Sequence, residues 1–217
     1  MERLFGCFAP ENYSLSLNIN KTSRKVYGTA IITGTPKQKL VKFHAKNLNI
    51  TSVAVAEKPI NFKLEDDLLI LENLGTEKVV ITVKYTFLLN TNMQGAYLST
   101  YQHEGKEERI VSTQFESHYA RECFPCIDEP EAKATFDLKI VTPDIDDTVV
   151  SNMPAKSDRV VEYDTVSFDQ NPKDGVNINT KAKKKIVEFE TTPKCQLIFY
   201  HSVWDIFTND PKLTSTA

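Results

Sequence analysis

The residue types that can do chemistry in this 217-residue chain gather in one segment, TQFESHYARECFPCIDEPEAKATF, Thr113 to Phe136. It holds five acidic side chains, two cysteines three apart, a histidine and two prolines. Such a set suits a thiol pair, a metal site, or the polar wall of an active site completed elsewhere. Cys123-Phe124-Pro125-Cys126 has the spacing of a redox pair, but such pairs work from a helix N-terminus in a βαβ setting. A zinc ribbon would need a second pair, and Cys7 and Cys195 stand alone. The plainer reading is buried thiols beside a Phe-Pro turn. No metal site is assembled from His44, His103, His118 and His201 either. His103-Glu104 is followed by Gly105, Lys106 and Glu107 rather than by the second histidine of an HExxH helix, and His44 and His201 fall in strand-like runs. Nucleophile-elbow, P-loop and dinucleotide fingerprints are absent from the sequence, so neither a catalytic residue nor a metal ligand is assigned.

Gln114 and Glu116 stand two apart at the end of a strand-like run, so both point to one face. A carboxylate beside an amide at a strand end can receive a cationic amine: the carboxylate accepts charge-assisted hydrogen bonds, and the amide shapes the space beside it. By themselves, two such residues also read as ordinary surface groups. Arg121 and the pair Asp128-Glu129 are expected to lock the segment by ion pairing, the support a ligand-facing loop needs. The run KAKKK, 181–185, could attract an anionic partner, but lysines on a hairpin more often guard an exposed strand edge.

The elements that must position these residues are strands. YSLSLNIN (13–20) alternates apolar and polar residues, as a half-buried strand does. The same reading applies to 25–35, 41–50, 51–56, 67–73, 77–89, 95–101, 109–115, 134–142, 147–152, 164–169, 184–192 and 196–204. Turn signals separate them at Thr35-Pro36-Lys37, Asn73-Leu74-Gly75, Asn171-Pro172 and Lys173-Asp174-Gly175. Strands at this rhythm predict an all-β fold, an antiparallel β-sandwich of many strands. Helical turns are expected only within 116–123 and 129–133. One β domain spans 1–204. Residues 205–217 lose the pattern and read as a tail or as the start of a further domain.

Composition excludes several functions. The formal charge of -3 gives no electrostatic basis for nucleic-acid binding. No window approaches the 18 apolar residues of a membrane span, so no membrane partner is expected. The N-terminal LFGCFA is too short for a secretion signal. The expected location is the cytoplasm, and the sequons at Asn12, Asn20 and Asn49 then count as chance matches.

The central segment, TQFE…ARECFPCIDEPEAKATF, resembles the signature of the aminopeptidase N family of zinc metallopeptidases, TQFE-x-x-x-AR-x-x-FPC-x-DEP-x-x-KA-x-F. Further likeness lies in Tyr13-Ser14-Leu15 with Gly28, in Gly95-Ala96-Tyr97-Leu98-Ser99 with Tyr101, in Ser151-Asn152-Met153-Pro154, and in Glu190-Thr191-Thr192-Pro193-Lys194. The resemblance spans Pro10 to Lys194. It departs from the family at Cys123, where a small residue is usual, at Leu98, where arginine is usual, and after Lys194.

This resemblance implies a saddle-shaped β domain packed on a thermolysin-like catalytic domain of the same parent enzyme. It implies that Glu116 helps hold the free α-amine of a peptide substrate and that Gln114 lines the pocket for the first side chain. The zinc, its HExxH ligands and the general base belong to the catalytic domain, so the chain by itself is expected to hold no cofactor and to hydrolyse nothing. Two alternatives stand beside this reading: a stand-alone β-sandwich binding module derived from the family, and a CxxC thiol module. A β domain separated from a catalytic partner is also expected to leave an apolar patch uncovered.

Overall fold

A computed structural model describes residues 3–168, 177–195 and 204–208. Fifteen strands make up most of it. In chain order these are β1 (Phe8–Asn20), β2 (Lys25–Pro36), β3 (Val41–His44), β4 (Asn49–Val55), β5 (Lys58–Pro59), β6 (Lys63–Glu65), β7 (Leu68–Leu71) and β8 (Val79–Leu88). They continue with β9 (Gly95–His103), β10 (Lys106–Gln114), β11 (Thr135–Thr142), β12 (Asp147–Ser151), β13 (Ala155–Phe168), β14 (Asn177–Phe189) and β15 (Trp204–Thr208). Three sheets result: β13-β14-β11-β1-β2-β8-β4-β5, β12-β15-β10-β9 and β3-β7-β6. The all-β, sandwich-like architecture expected from the alternation is present.

Among the described strands the pairing is antiparallel with one exception: β1 and β11 run parallel, from Asn12 opposite Thr135 to Asn18 opposite Val141. A parallel neighbour needs a long return path. Here the chain between β1 and β11 supplies it by forming β2 to β10 first. Alternation along one strand carries no record of the partner's direction, so the sequence reading missed this ladder.

Alternation also misplaces elements that lack a dry face. The run 41–50 divides into β3 and the start of β4, which lie in different sheets, with Asn47 at φ +58 in the bend between them. Most of β13 was not expected. It pairs with β14 from Ala155 opposite Phe189 to Phe168 opposite Asn177, while β14 meets β11 only from Lys185 to Glu188. Beyond it the hairpin is a two-stranded ribbon, and residues 160–165 and 181–184 on both its faces are exposed or half-buried, so its sequence need not alternate. Its lysines pair across and along it, Lys183 with Glu162 at 3.6 Å and Lys185 with Asp158 at 3.2 Å. Residues 204–208, assigned from sequence mostly to the tail, form β15 between β12 and β10, with Ile206 opposite Val111 and Val149. The turns expected at 171–175, the strand expected over 196–203 and the tail 209–217 lie outside the described residues.

The core lies between the sheets. Tyr13, Leu15, Leu17 and Ile19 of β1 are buried in alternation, as are Val26, Ala30 and Ile32 of β2 and Ile81, Val83, Tyr85 and Phe87 of β8. Gly28 faces Tyr85 across the β2/β8 ladder. A Cβ there would fall 2.3 Å from the tyrosine ring, so only glycine leaves the ring its place. Exposed apolar side chains are scattered: Tyr27, Ile31, Val80 and Leu88 alternate with threonines on the outer face of β2 and β8.

Candidate functional site

β10 carries Gln114 to the end of the four-stranded sheet. Phe115, 1% exposed, turns inward, and Glu116 emerges on the exposed side. Gln114 is half-buried and accepts the Glu116 backbone N–H through its side-chain oxygen at 3.1 Å. The chain then makes a tight turn in which Tyr119 N–H donates to the Phe115 carbonyl at 3.0 Å. The Glu116–Ser117 peptide in that turn is cis. Buried Phe115 and Ala120 hold the two ends of the turn, and Glu116, Ser117 and His118 are exposed between them. Ser117 Oγ and His118 Nδ1 lie 2.6 Å apart, and the His118 ring stacks on Tyr119. Structure therefore brings Gln114 and Glu116 together at one lip of the sheet.

The rest of the segment anchors this lip. Phe115, Phe124, Phe136 and Tyr13 form one aromatic cluster with ring centroids 5.3–6.5 Å apart, edge-on or stacked. Contacts of this kind add to the area they bury. A short 3-10 turn spans Ala120–Glu122. From it Arg121 Nε donates to Asp128 Oδ2 at 2.9 Å, and an Arg121 terminal nitrogen donates to the Asp128 carbonyl at 3.1 Å. Burial raises the Asp128 carboxyl above the usual carboxylate range, and Arg121 opposes that shift. Asp128 Oδ1 is buried without a hydrogen-bond partner among the described residues.

Glu129 does something else. Its two carboxylate oxygens accept the backbone N–H groups of Leu4 and Phe5 at 2.6 and 3.1 Å, capping a 3-10 turn at Leu4–Gly6 that the sequence reading did not foresee. Orphan N–H donors at such a turn attract a carboxylate. Of the pair Asp128-Glu129, then, only Asp128 reaches Arg121.

His44, 7% exposed, sits behind the segment. Its backbone exchanges hydrogen bonds with Cys126, and its Nδ1 accepts the Asp128 N–H at 3.1 Å. Burial first, and the Arg121 charge second, lower its pKa to about 4. It is a neutral structural acceptor.

Cys123 and Cys126 are fully buried, and burial pushes both thiols well above their ordinary range. An activated thiol needs the opposite shift and access to solvent, so burial argues against redox chemistry at this pair. Among the described residues no three His, Cys, Asp or Glu side chains converge on a metal-sized space. The residues present do not fit a zinc ion, and no step here runs through one. No helix among the described residues is long and apolar enough to cross a membrane.

Several residues of this region escaped the sequence reading. Glu122, 6% exposed, pairs with Lys46 at 2.9 Å and accepts from Asn90 at 3.0 Å, and Gln94 reaches Tyr119. Nothing in their one-dimensional spacing couples positions 46, 90, 94 and 122.

Residues 9–196 match the model of the Peptidase M1 N-terminal domain. The chain is 39% identical to aminopeptidase N of Lactococcus lactis subsp. lactis over 196 residues, covering 88% of the chain and 21% of the relative. It is 43% identical to aminopeptidase N of Lactococcus lactis subsp. cremoris over 157 residues, 71% of the chain and 19% of the relative. It is 34% identical to puromycin-sensitive aminopeptidase of Caenorhabditis elegans over 207 residues, 89% of the chain and 20% of the relative. The chain thus spans about a fifth of the length of the curated relatives it matches.

Proposed function

Because this chain belongs to the Peptidase M1 N-terminal domain family, we propose that it is the amine-recognition part of a zinc aminopeptidase. Glu116 accepts the free α-ammonium of a peptide substrate, and Gln114 borders the space for the first side chain. The observation that carries this reading is the lip itself. Exposed Glu116 stands on a turn whose two ends are buried, and its backbone N–H is held by the Gln114 amide at the end of β10. Capturing the amine confines cleavage to the first peptide bond, because an internal bond offers no cation to the carboxylate.

On this reading the zinc and the groups that activate water lie in a catalytic domain, and the chain alone is inert. The docking surface is the outer face of the four-stranded sheet, which Gln114 shares with half-buried Tyr97, Ser99, Tyr101, Ile110 and Ser112. A face on which tyrosines and an aliphatic residue are neither buried nor fully wet suits a partner surface. Cytoplasmic placement accords with four cysteines that are all in the thiol form.

The test is an exchange of segments. The aligned segment of Lactococcus lactis aminopeptidase N is replaced by this chain, and hydrolysis of aminoacyl-anilides is followed. The chimera is expected to be active, and Ile110→Asp in the docking face is expected to abolish activity while leaving the isolated chain folded. A folded chimera that is inert toward every aminoacyl-anilide would overturn the proposal.

A further inference from the structure

The turn that presents Glu116 has little burial of its own, since residues 116–118 are exposed. Contacts at its end therefore bear on its orientation, beside the bond from the Glu116 N–H to Gln114. Tyr119 closes the turn through its N–H, and its hydroxyl accepts a hydrogen bond from Gln94 Nε2 at 2.8 Å. Gln94 belongs to the loop between β8 and β9. Its other side-chain atom is also engaged, because Asn92 Nδ2 donates to Gln94 Oε1 at 3.0 Å.

That loop is itself tied down. Asn90 Nδ2 donates both to the Gln94 carbonyl at 2.8 Å and to buried Glu122 Oε2 at 3.0 Å. Glu122 sits one residue past Arg121; its N–H donates to the Tyr119 carbonyl at 3.1 Å, and its other oxygen meets Lys46 at 2.9 Å. Gly95, at φ +65, closes the gap: a Cβ there would stand 3.2 Å from Glu122 Cβ and 3.4 Å from the Tyr119 carbonyl oxygen. Lys46, Glu122, Asn90 and Gln94 thus form one chain of contacts that ends on the Tyr119 hydroxyl.

We infer that Gln94 and Tyr119 are positioning residues for Glu116, through which the β8–β9 loop sets the direction of the amine-receiving carboxylate. The inference rests on the proposed role of Glu116 for its meaning. Its test involves no amine, so the two can fail separately. A net hydrogen bond of ordinary strength corresponds to a change of about 3- to 10-fold in a local opening equilibrium.

Amide hydrogen exchange is measured by NMR on the full 217-residue chain. Tyr119→Phe keeps the ring and its stacking on His118 and removes only the hydroxyl, and Gln94→Met keeps the length and removes the donor. Each is expected to raise exchange at the Glu116 and Tyr119 amides by about 3- to 10-fold, with amides of β1, β2 and β8 and the melting temperature unchanged. The double variant should be no faster than either single one. Gln94→Glu should restore protection, because its carboxylate accepts from the Tyr119 hydroxyl. Unchanged exchange at Glu116 and Tyr119 in both single variants would overturn the inference. So would additive effects, or a rise spread evenly over the sheets, which would mark a merely structural pair.

Discussion

Between pH 7 and pH 5, acid should weaken this fold at His44. The imidazole titrates at about 4 in the folded chain against an ordinary 6.5, because it is buried and faces Arg121. His118 lowers its pKa as well, while Glu129 and the hydrogen bond with Cys126 pull the other way. A base whose folded pKa lies below its unfolded one favours folding only while neutral. Its contribution is therefore complete above 6.5 and is lost as pH falls toward 4. Linkage over that interval gives about 2 kcal/mol lost between pH 7 and pH 5, and about 3 kcal/mol once pH is below 4. In a domain of this size 2 kcal/mol corresponds to roughly 4–8 °C in melting temperature. The perturbation is His44→Gln, whose side-chain oxygen can still accept the Asp128 N–H without gaining a charge. Urea unfolding of both proteins at pH 7 and pH 5 is the assay. The wild type should lose about 2 kcal/mol more than the variant over this window. Equal losses in the two would refute the assignment of acid sensitivity to His44.

Other expectations follow from the same packing. Gly28→Ala drives a methyl into the Tyr85 ring, and overpacking of this kind costs about 1–3 kcal/mol, read as a lower urea midpoint at constant slope. Cys195, partly exposed, should react with a thiol reagent in the native chain, while Cys123 and Cys126 should react only after unfolding. Rapid native labelling of either buried cysteine would revive a thiol chemistry that burial argues against.

How much of this was legible in the sequence depends on what each residue faces. β1, β2 and β8 alternate because one face of each is dry, so their residues record their own burial. The β13–β14 ribbon has no dry face along most of its length, and β15 is five residues long, so neither leaves such a record. The direction of β11 beside β1 depends on chain path, which composition cannot encode. At the site, Gln114 and Glu116 stood out because they share a strand end. Arg121 and Asp128 could be read as partners because they lie seven residues apart in one polar segment. Glu129 misled for the same reason: its neighbours in sequence suggested Arg121, while the fold delivered the N–H groups of Leu4 and Phe5 from over a hundred residues away. The Lys46, Asn90, Gln94 and Glu122 contacts join three separate loops, and only the folded chain brings them together.

The central claim is that Glu116 reads the free α-amine, and one comparison tests it most directly. In the chimeric aminopeptidase, kcat/KM is measured for leucine anilide and for its N-acetylated form, with Glu116 and with Glu116→Ala. Loss of a charge-assisted contact of about 2–3 kcal/mol predicts a fall of roughly 30- to 150-fold for leucine anilide. The acetylated substrate, already poor, should not change, so the preference for the free amine collapses. If Glu116→Ala leaves that preference intact in a folded chimera, the amine is recognised elsewhere and the account of this site is wrong.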